Sequence, residues 1–400
     1  MRLLHTSDWH VGRTLRGRSR VSEHEAVLAE IHDIAVAEQV DVVVVAGDLF
    51  ESAAPTAESE EVVYRALTRF GATGARTFVV AGNHDNPRRL RAVSLPFAAG
   101  GVEVLAYPSR PDAGGLVEGI TAAGERYRIA LLPFVTQRAI VRIDHIMDSP
   151  AFEHAQAYAE RFALLVEGLA SGFDVDAVNV VVAHAFVAGG TAGGGERPAH
   201  LAAEYVVPST VFPAAAGYVA LGHLHRPQQV PGPAALHYCG SPLQLDFGEA
   251  DQTKSVNVVD LAPGLPAKVR RVGLTGGLPL RTVRGTVAEL IELDPGAAPL
   301  GDGWLKVVLE EVPSPGAVDR LREHLGDRLV HVEVDPAHRP RREAFVSRRG
   351  RSPAELFDAY CHEEGAVDPA VSTLFSELLE ECTIPDTDVP AAGERPGEAP

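Results

Sequence analysis

Residues 42–52 read VVVVAGDLFES, four valines in a row that stop at a glycine and an aspartate. A strand with one wet face alternates apolar and polar side chains. A β-branched run without alternation belongs instead to a strand covered on both faces, as in layered α/β folds. The pattern recurs through the first 275 residues: MRLLHTS (1–7), RTFVVAG (76–82), VEVLAY (102–107), YRIALLPF (127–134), AVNVVVAH (177–184), GYVALGHL (217–224) and SVNVVDL (255–261) are the other expected strands. Residues 22–39 and 59–74 carry apolar side chains at helical spacing, and the second stretch ends in glycine stop signals. The expected fold class is therefore α/β, with sheets flanked by helices.

A carboxylate at the tip of a buried strand serves no core, and Asp48 is not alone. Five motifs follow expected strands: SDWH (Asp8, His10), GDLFE (Asp48), GNHD (Asn83, His84, Asp85), VVAHAF (His184) and GHLH (His223, His225). In open α/β sheets the binding crevice lies beyond the carboxyl ends of the strands, so all five can converge. Asp8 with His10, and His223 with His225, are spaced i, i+2, which in an extended chain points both side chains to one side. Gly47, Gly82 and Gly222 permit sharp turns directly after a strand. Any one motif is ordinary, because a lone histidine after a strand is usually a packing or capping residue and Gly-Asp is a common turn. Five in one chain are not explained that way. Imidazole, carboxylate and one amide oxygen, without thiolate, make a donor set for Mn²⁺, Fe²⁺ or Zn²⁺. The set exceeds what one ion needs. Two ions about 3.5–4 Å apart, sharing Asp48, would use all of it as a clamp for phosphoester hydrolysis.

Four hundred residues imply two or three structural units, and 46% hydrophobic with 22% charged residues is the composition of a soluble globular protein. The reading divides the chain into a catalytic domain at 1–275, a small α+β unit at 276–340, a basic linker at 341–351, paired amphipathic helices at 352–382 and an acidic disordered tail at 383–400. Ser352, Pro353 and Glu355 form an expected capping box, and Val371, Leu374, Phe375, Leu378 and Leu379 form an apolar stripe too short to bury itself. The formal charge of −18 is concentrated at the end, where twelve acids face one arginine from Ser352 onward. Arginines cluster at 13–20, 88–91 and 339–351, either as phosphate contacts or as solvated surface, so charge alone leaves nucleic acid open. No apolar run approaches a membrane span, no secretory signal opens the chain, and Cys239, Cys361 and Cys382 lack metal spacing, so the expected location is cytoplasmic.

The motif order D-x-H, GD, GNHD, H and GHxH resembles the calcineurin-like metallophosphoesterase superfamily. Within it, TSDWHVGR, AGDLF, VAGNHD, HAFVAGG and LGHLHRPQ, followed by YCGSPLQLDFGE, are similar to the SbcD family of bacterial nucleases, which work with SbcC, an SMC-like ATPase. The resemblance implies a four-layer metallophosphoesterase β-sandwich flanked by helices, a small capping domain and C-terminal helices that dock the ATPase. It implies one metal held by Asp8, His10, Asp48 and His225, and a second by Asp48, Asn83, His184 and His223, both most simply Mn²⁺. His84 is left as a non-ligand imidazole, placed to protonate the leaving 3′-oxygen or to stabilise the transition-state charge. Glu51, three residues after Asp48, is expected to hydrogen-bond His84 and keep it a competent acid, and Asp85 to fix the loop.

The implied function is a manganese-dependent nuclease acting on DNA ends and hairpins, as duplex exonuclease and single-strand endonuclease, with the SbcC-like ATPase and as a homodimer. A small-molecule or cyclic-nucleotide phosphodiesterase shares every ligand but needs neither basic linker nor exposed helices. A non-catalytic scaffold would not keep the full ligand set. The glycine-rich stretch 189–198 lacks the Lys-Ser/Thr of a P-loop and is expected to be a mobile loop near the metals, with no ATP hydrolysis by this chain. His5, His24, His32, His324, His331 and His338 read as structural.

Overall fold

A computed structural model of the chain describes residues 1–136, 151–196, 205–338, 352–363 and 369–383. The expected basic linker and the tail beyond Thr383 lie outside the described residues. The chain forms two compact units, Met1–His338 and Arg339–Pro400.

In the larger unit, β1 (Arg2–Thr6), β2 (Val42–Val45), β3 (Arg76–Val80) and β4 (Val102–Leu105) pair in parallel in one six-stranded sheet. β13 (Ser255–Asp260) and β14 (Lys268–Gly273) extend its other edge antiparallel. A second six-stranded sheet centres on β6 (Arg126–Leu132), β7 (Val178–His184), β10 (Tyr218–Gly222) and β12 (Leu236–Tyr238), parallel to one another. Its edges are β5 (Leu116–Ile120) and β11 (Gln228–Val230), both antiparallel to their neighbours.

The sheets face each other. Leu3, Val42, Val44, Phe78 and Val80 of the first share one core with Ile129, Leu131, Val180, Val182 and Ala220 of the second. Val43, Val45 and Val79 point the other way, into a core shared with α1 (Val21–Ala37) and α2 (Ala57–Gly71). On the far side, Tyr158, Phe162, Val166 and Leu169 of α4 (Ala151–Ala170) cover Val181, Ala183, Val219 and Leu221. The four valines are thus buried alternately on two faces, which is why they do not alternate with polar residues.

All eight expected strands form. The helix α3 (Pro87–Ala99) was not legible, because only Leu90 of it is buried and no apolar face marks it; its start is set by Asn86, whose side chain accepts from the Arg88 and Arg89 amides. Residues 276–338 form a parallel three-stranded sheet, β15 (Leu280–Gly285), β16 (Trp304–Leu309) and β17 (Leu329–Val334). Leu305, Val307 and Leu309 project from one face of it onto Leu290 of α5 (Val287–Glu292) and Leu321 and Leu325 of α6 (Ala317–Leu325).

In the smaller unit, α7 (Pro353–Glu363) begins with the expected capping box, Ser352 and Glu355 bonding reciprocally. α8 (Pro369–Thr383) stacks Phe375 on Phe357 of α7 at 3.9 Å between ring centroids, and Ser372 donates to Asp358. No helix among the described residues is long and apolar enough to cross a membrane.

His5 and His24 are fully buried, and burial pushes them down, to about 3 and about 4 respectively. The unfolded chain takes up these protons near pH 6.5, so the unfolded state binds more protons between pH 6.5 and about 4 and stability falls as the pH drops through that window. The slope is up to about 1.4 kcal/mol per pH unit for each histidine. Urea midpoints measured at pH 6.5 and 4.5 should show the loss, and His24→Gln should make it shallower.

Candidate metal centre

The five motifs lie where β1, β2, β3, β7 and β10 end, at one edge of the sandwich. Asp8, His10, Asp48 and His223 all have positive φ, at 53°, 48°, 54° and 108°. Such left-handed residues cost on the order of 1–3 kcal/mol each and persist only where the surroundings hold them. Here the hold is a lattice of hydrogen bonds. Asp8 N–H donates to Gly47 O at 2.9 Å and His10 N–H to Asp48 O at 3.0 Å. The Asp8 carboxylate accepts the His223 amide at 2.9 Å, and Asp48 Oδ1 accepts the His84 amide at 2.8 Å. Asp8 and His10 do share a side, but through two left-handed residues flanking the buried Trp9, not through extended chain. The glycines also differ from expectation. Gly47 takes φ +92°, as a sharp turn requires, whereas Gly82 provides space: a Cβ there would lie 2.1 Å from Asp48 Oδ1.

The predicted ligands come together in overlapping groups. Asp8, His10 and His225 form one group of donor atoms, Asp8, Asp48 and His184 a second, and His10, Asp48 and His84 a third, all buried. His10 Nδ1 lies 3.1 Å from Glu51 Oε2 and His225 Nδ1 lies 3.0 Å from Glu249 Oε1. Carboxylates accept, so both rings donate from Nδ1 and turn their Nε2 lone pairs toward each other, 3.1 Å apart. On the other side, His184 Nδ1 donates to Ala46 O at 2.7 Å. Its Nε2 then lies 2.8 Å from Asn83 Oδ1 and 3.4 Å from Asp48 Oδ2, a position that a second ring proton or a metal cation must fill. His223 Nδ1 is 2.9 Å from the same Asn83 oxygen. Nitrogen and oxygen atoms converging at these distances call for added protons or metal cations among them, and the donor set suits divalent ions.

The field of the site agrees. Burial pushes the Asp8 carboxyl up, to about 6, and burial with the Asp48 charge lifts Asp85 to about 7. Burial alone would raise Asp48 too, but the His184, His10 and His84 rings pull it well below the usual carboxylate range. Burial opposes protonation of His184, yet the Asp48 charge overrides it and raises the ring to about 9.

His84 stands beside this set, its ring edge-on to His10 with centroids 4.7 Å apart. Its Nδ1 donates to the Glu51 main-chain oxygen at 2.7 Å. The bond between residue 51 and His84 is therefore made by backbone, not by the side chain to which the sequence pattern assigns it. The Glu51 carboxylate reaches His10 instead and, at 2.9 Å, Arg13. Facing two cationic or donor groups across the loop is the better use of a carboxylate. Asp85 accepts the Phe50 and Gly82 amides, at 3.1 and 2.8 Å, and so ties the β2 and β3 loops together.

Sequence reasoning missed Glu196, Glu249 and Lys254, which surround His225. The one available signal was Glu249 at the end of the GSPLQLDFGE stretch. Described residues 191–196 of the glycine-rich stretch pack on this group instead of standing off as a loose loop, because Glu196 bonds the Gly193, Gly194 and His225 amides. Beside the centre, Gly12–Gly17, Glu51, Leu245 and Asp246 line a cleft of 310 Å³ that includes Arg13 and Arg16. A larger cavity of 660 Å³ lies at the opposite ends of β7 and β10, around Asn179 and Gly217, away from this chemistry.

Residues 1–227 match the family described as calcineurin-like phosphoesterase. Three relatives that are named as the SbcD component of the nuclease SbcCD are similar to the chain. That of Bacillus subtilis (strain 168) is 39% identical over 284 residues, 70% of this chain and 71% of its own length. That of Rhodobacter capsulatus is 37% identical over 291 residues, 70% of this chain and 71% of its own. That of Escherichia coli (strain K12) is 28% identical over 308 residues, 72% of both chains.

A methyl group at position 82 must displace the Asp48 carboxylate. Gly82→Ala should lower phosphodiesterase turnover by about 100-fold, the scale of a 1 Å misplacement at a reacting centre. Circular dichroism should show the fold retained, and unchanged turnover would remove Gly82 from the account of the site.

Proposed function

The chain belongs to the calcineurin-like phosphoesterase family, within its SbcD nucleases, and from that premise we propose that it is a two-metal, manganese-dependent nuclease that processes DNA ends and hairpins with an SMC-like ATPase. The observation that carries the reading is the pair of converging groups, His10 with His225 and His184 with Asn83, joined through Asp48 Oδ2 at 3.6 Å from His10 Nε2 and 3.4 Å from His184 Nε2. Asp8, His10, Asp48 and His225 would hold one ion, and Asp48, Asn83, His184 and His223 the other. When bound, the ions supply Lewis acidity that activates water and offsets charge on the phosphoryl oxygens. The residues' own work is distinct. Asp48 is shared by both sets, and its low proton affinity keeps it ionised there. The Glu51 carbonyl fixes the His84 proton at Nδ1, which leaves Nε2 as the ring atom that exchanges a proton with the leaving oxygen. Exposed Arg16, with Arg13 in the adjoining cleft, offers a phosphate chain a path beside the metals.

The partner reading rests on the smaller unit. Val371, Leu374 and Leu378 of α8 remain 43%, 54% and 51% exposed although α7 packs beside them. A helix face of this kind suits a groove on another protein.

Purified chain should cleave end-labelled duplex and hairpin DNA with Mn²⁺, more strongly with the ATPase present, and His84→Ala should lose at least about 100-fold, as for a general acid. Hydrolysis of bis-p-nitrophenyl phosphate without any DNA cleavage, even with the ATPase, would move the function to a small diester. Separately, Leu374→Asp with Leu378→Asp should abolish ATPase binding in pull-down while leaving hydrolysis of the small diester intact. Undiminished ATPase binding would overturn the docking role.

A further inference from the structure

His225 is enclosed from behind by a group that contains no proposed metal ligand. Glu249 is fully buried; its Oε1 takes the His225 Nδ1 proton at 3.0 Å, and its Oε2 accepts the Leu245 amide at 3.0 Å. Lys254 Nζ lies 2.7 Å from Glu249 Oε2 and 3.0 Å from His225 O, Ser241 Oγ and Gln252 Oε1. Glu196 Oε1 accepts the His225 amide at 2.9 Å. Gly195 closes over the group so tightly that a Cβ there would sit 2.2 Å from Glu249 Oε1 and 3.0 Å from His225 Nδ1.

Glu196, His225 and Glu249 have the composition of a third cation site. The Lys254 ammonium already fills that role, buried and paired, so the cluster needs no ion. What it does is orient a ring. An imidazole that gives its Nδ1 proton to a fixed carboxylate has one tautomer and one direction, with Nε2 as the atom left to bind. The carboxylate is itself held in place, because Lys254 Nζ lies 2.7 Å from its other oxygen and the Leu245 amide donates to that oxygen at 3.0 Å.

We propose that Glu249, locked by Lys254 and covered by Gly195, is the positioning residue that presents His225 Nε2 to the metal centre and so sets the affinity of the Asp8–His10–His225 site. This rests on the two-metal reading of the preceding subsection. It assigns the glycine-rich stretch a role as well: residue 195 must be small because it lies against the carboxylate that aims the ring, while Gly193 lies against His225 itself.

The test titrates Mn²⁺ calorimetrically into metal-free full-length chain. Wild type should bind two ions. Glu249→Gln should weaken one of them roughly 10–100-fold, the usual effect of removing an outer partner of a metal-binding histidine, and leave the other unchanged. Asn83→Ala should weaken the other ion instead. Glu249→Gln leaves Lys254 buried without its counter-charge and can unfold for that reason. Glu249→Gln with Lys254→Met removes both charges, and Gly195→Ala keeps both while displacing the carboxylate; each should reproduce the loss at the same ion. In metal-free protein above the titration range of the ring, ¹⁵N chemical shifts should place the His225 proton on Nδ1 in wild type and show mixed tautomers in the variants. Wild type binding two ions, with no change in the double variant or in Gly195→Ala, overturns the positioning role alone. Wild type binding fewer than two overturns the two-metal reading and this proposal with it.

Discussion

Two imidazole nitrogens that face each other across 3.1 Å, each ring donating its Nδ1 proton to a carboxylate on the opposite side, need a proton or a metal cation between them. The rest of the centre follows from this demand. Asp48 and Asp8 are buried in the same place, and taking carboxylate charge out of water costs several kcal/mol that pairing must offset. Neither cost is tolerable in a flexible loop, which would open and let water in. It is tolerable at the edge of a sandwich whose strands are covered on both faces. The strands cannot shift without exposing Val42, Val44, Ile129 and Val180, and the left-handed turns at Asp8, His10 and Asp48 are held by bonds between neighbouring strand ends. The core supplies rigidity, and the site spends it on a geometry that is unfavourable until a cation arrives.

That division of labour decides what could be read from the chain alone. Strands buried on two faces announce themselves by unbroken β-branched runs, and polar motifs after five such runs are not explained singly, so the convergence of Asp8, His10, Asp48, Asn83, His84, His184, His223 and His225 on one place was expected from the sequence. The residues behind them were not. Glu249 and Lys254 belong to an irregular stretch with no periodicity, and a glutamate acquires meaning there only when folding sets it 3.0 Å from a ring 24 positions earlier. Glu51 shows the opposite limit: its neighbourhood was foreseeable, but whether backbone or side chain faces His84 depends on a turn geometry that sequence does not encode locally. α3 escaped because its surface is arginine-rich and one buried leucine makes no pattern.

The stretch from Cys239 to Lys254 ties the catalytic body to the small three-stranded unit. Gln244 Oε1 accepts the Leu280 amide at 2.7 Å, and the Gln244 carbonyl accepts from the buried Arg20. Arg20 also grips Glu23, whose carboxylate takes the Trp304 indole N–H and the Leu278 amide, each at 2.8 Å. One residue beyond Gln244, the Leu245 amide donates to Glu249, the carboxylate behind His225. The anchoring of the small unit and the support of a proposed metal ligand therefore share a single short segment. Leu15, Phe247 and Leu280 form an apolar cluster at the same junction, with Trp304 and Val330 packed against it. Cutting the chain at residue 275 would remove two hydrogen bonds from Glu23 and one from Gln244 and uncover the Leu15–Phe247 contact, with only Arg20 left to pair Glu23. The small unit is part of what holds the body together. A role with substrate would be separable from that structural role only by substitutions on its outer surface, away from the Glu23 and Gln244 contacts.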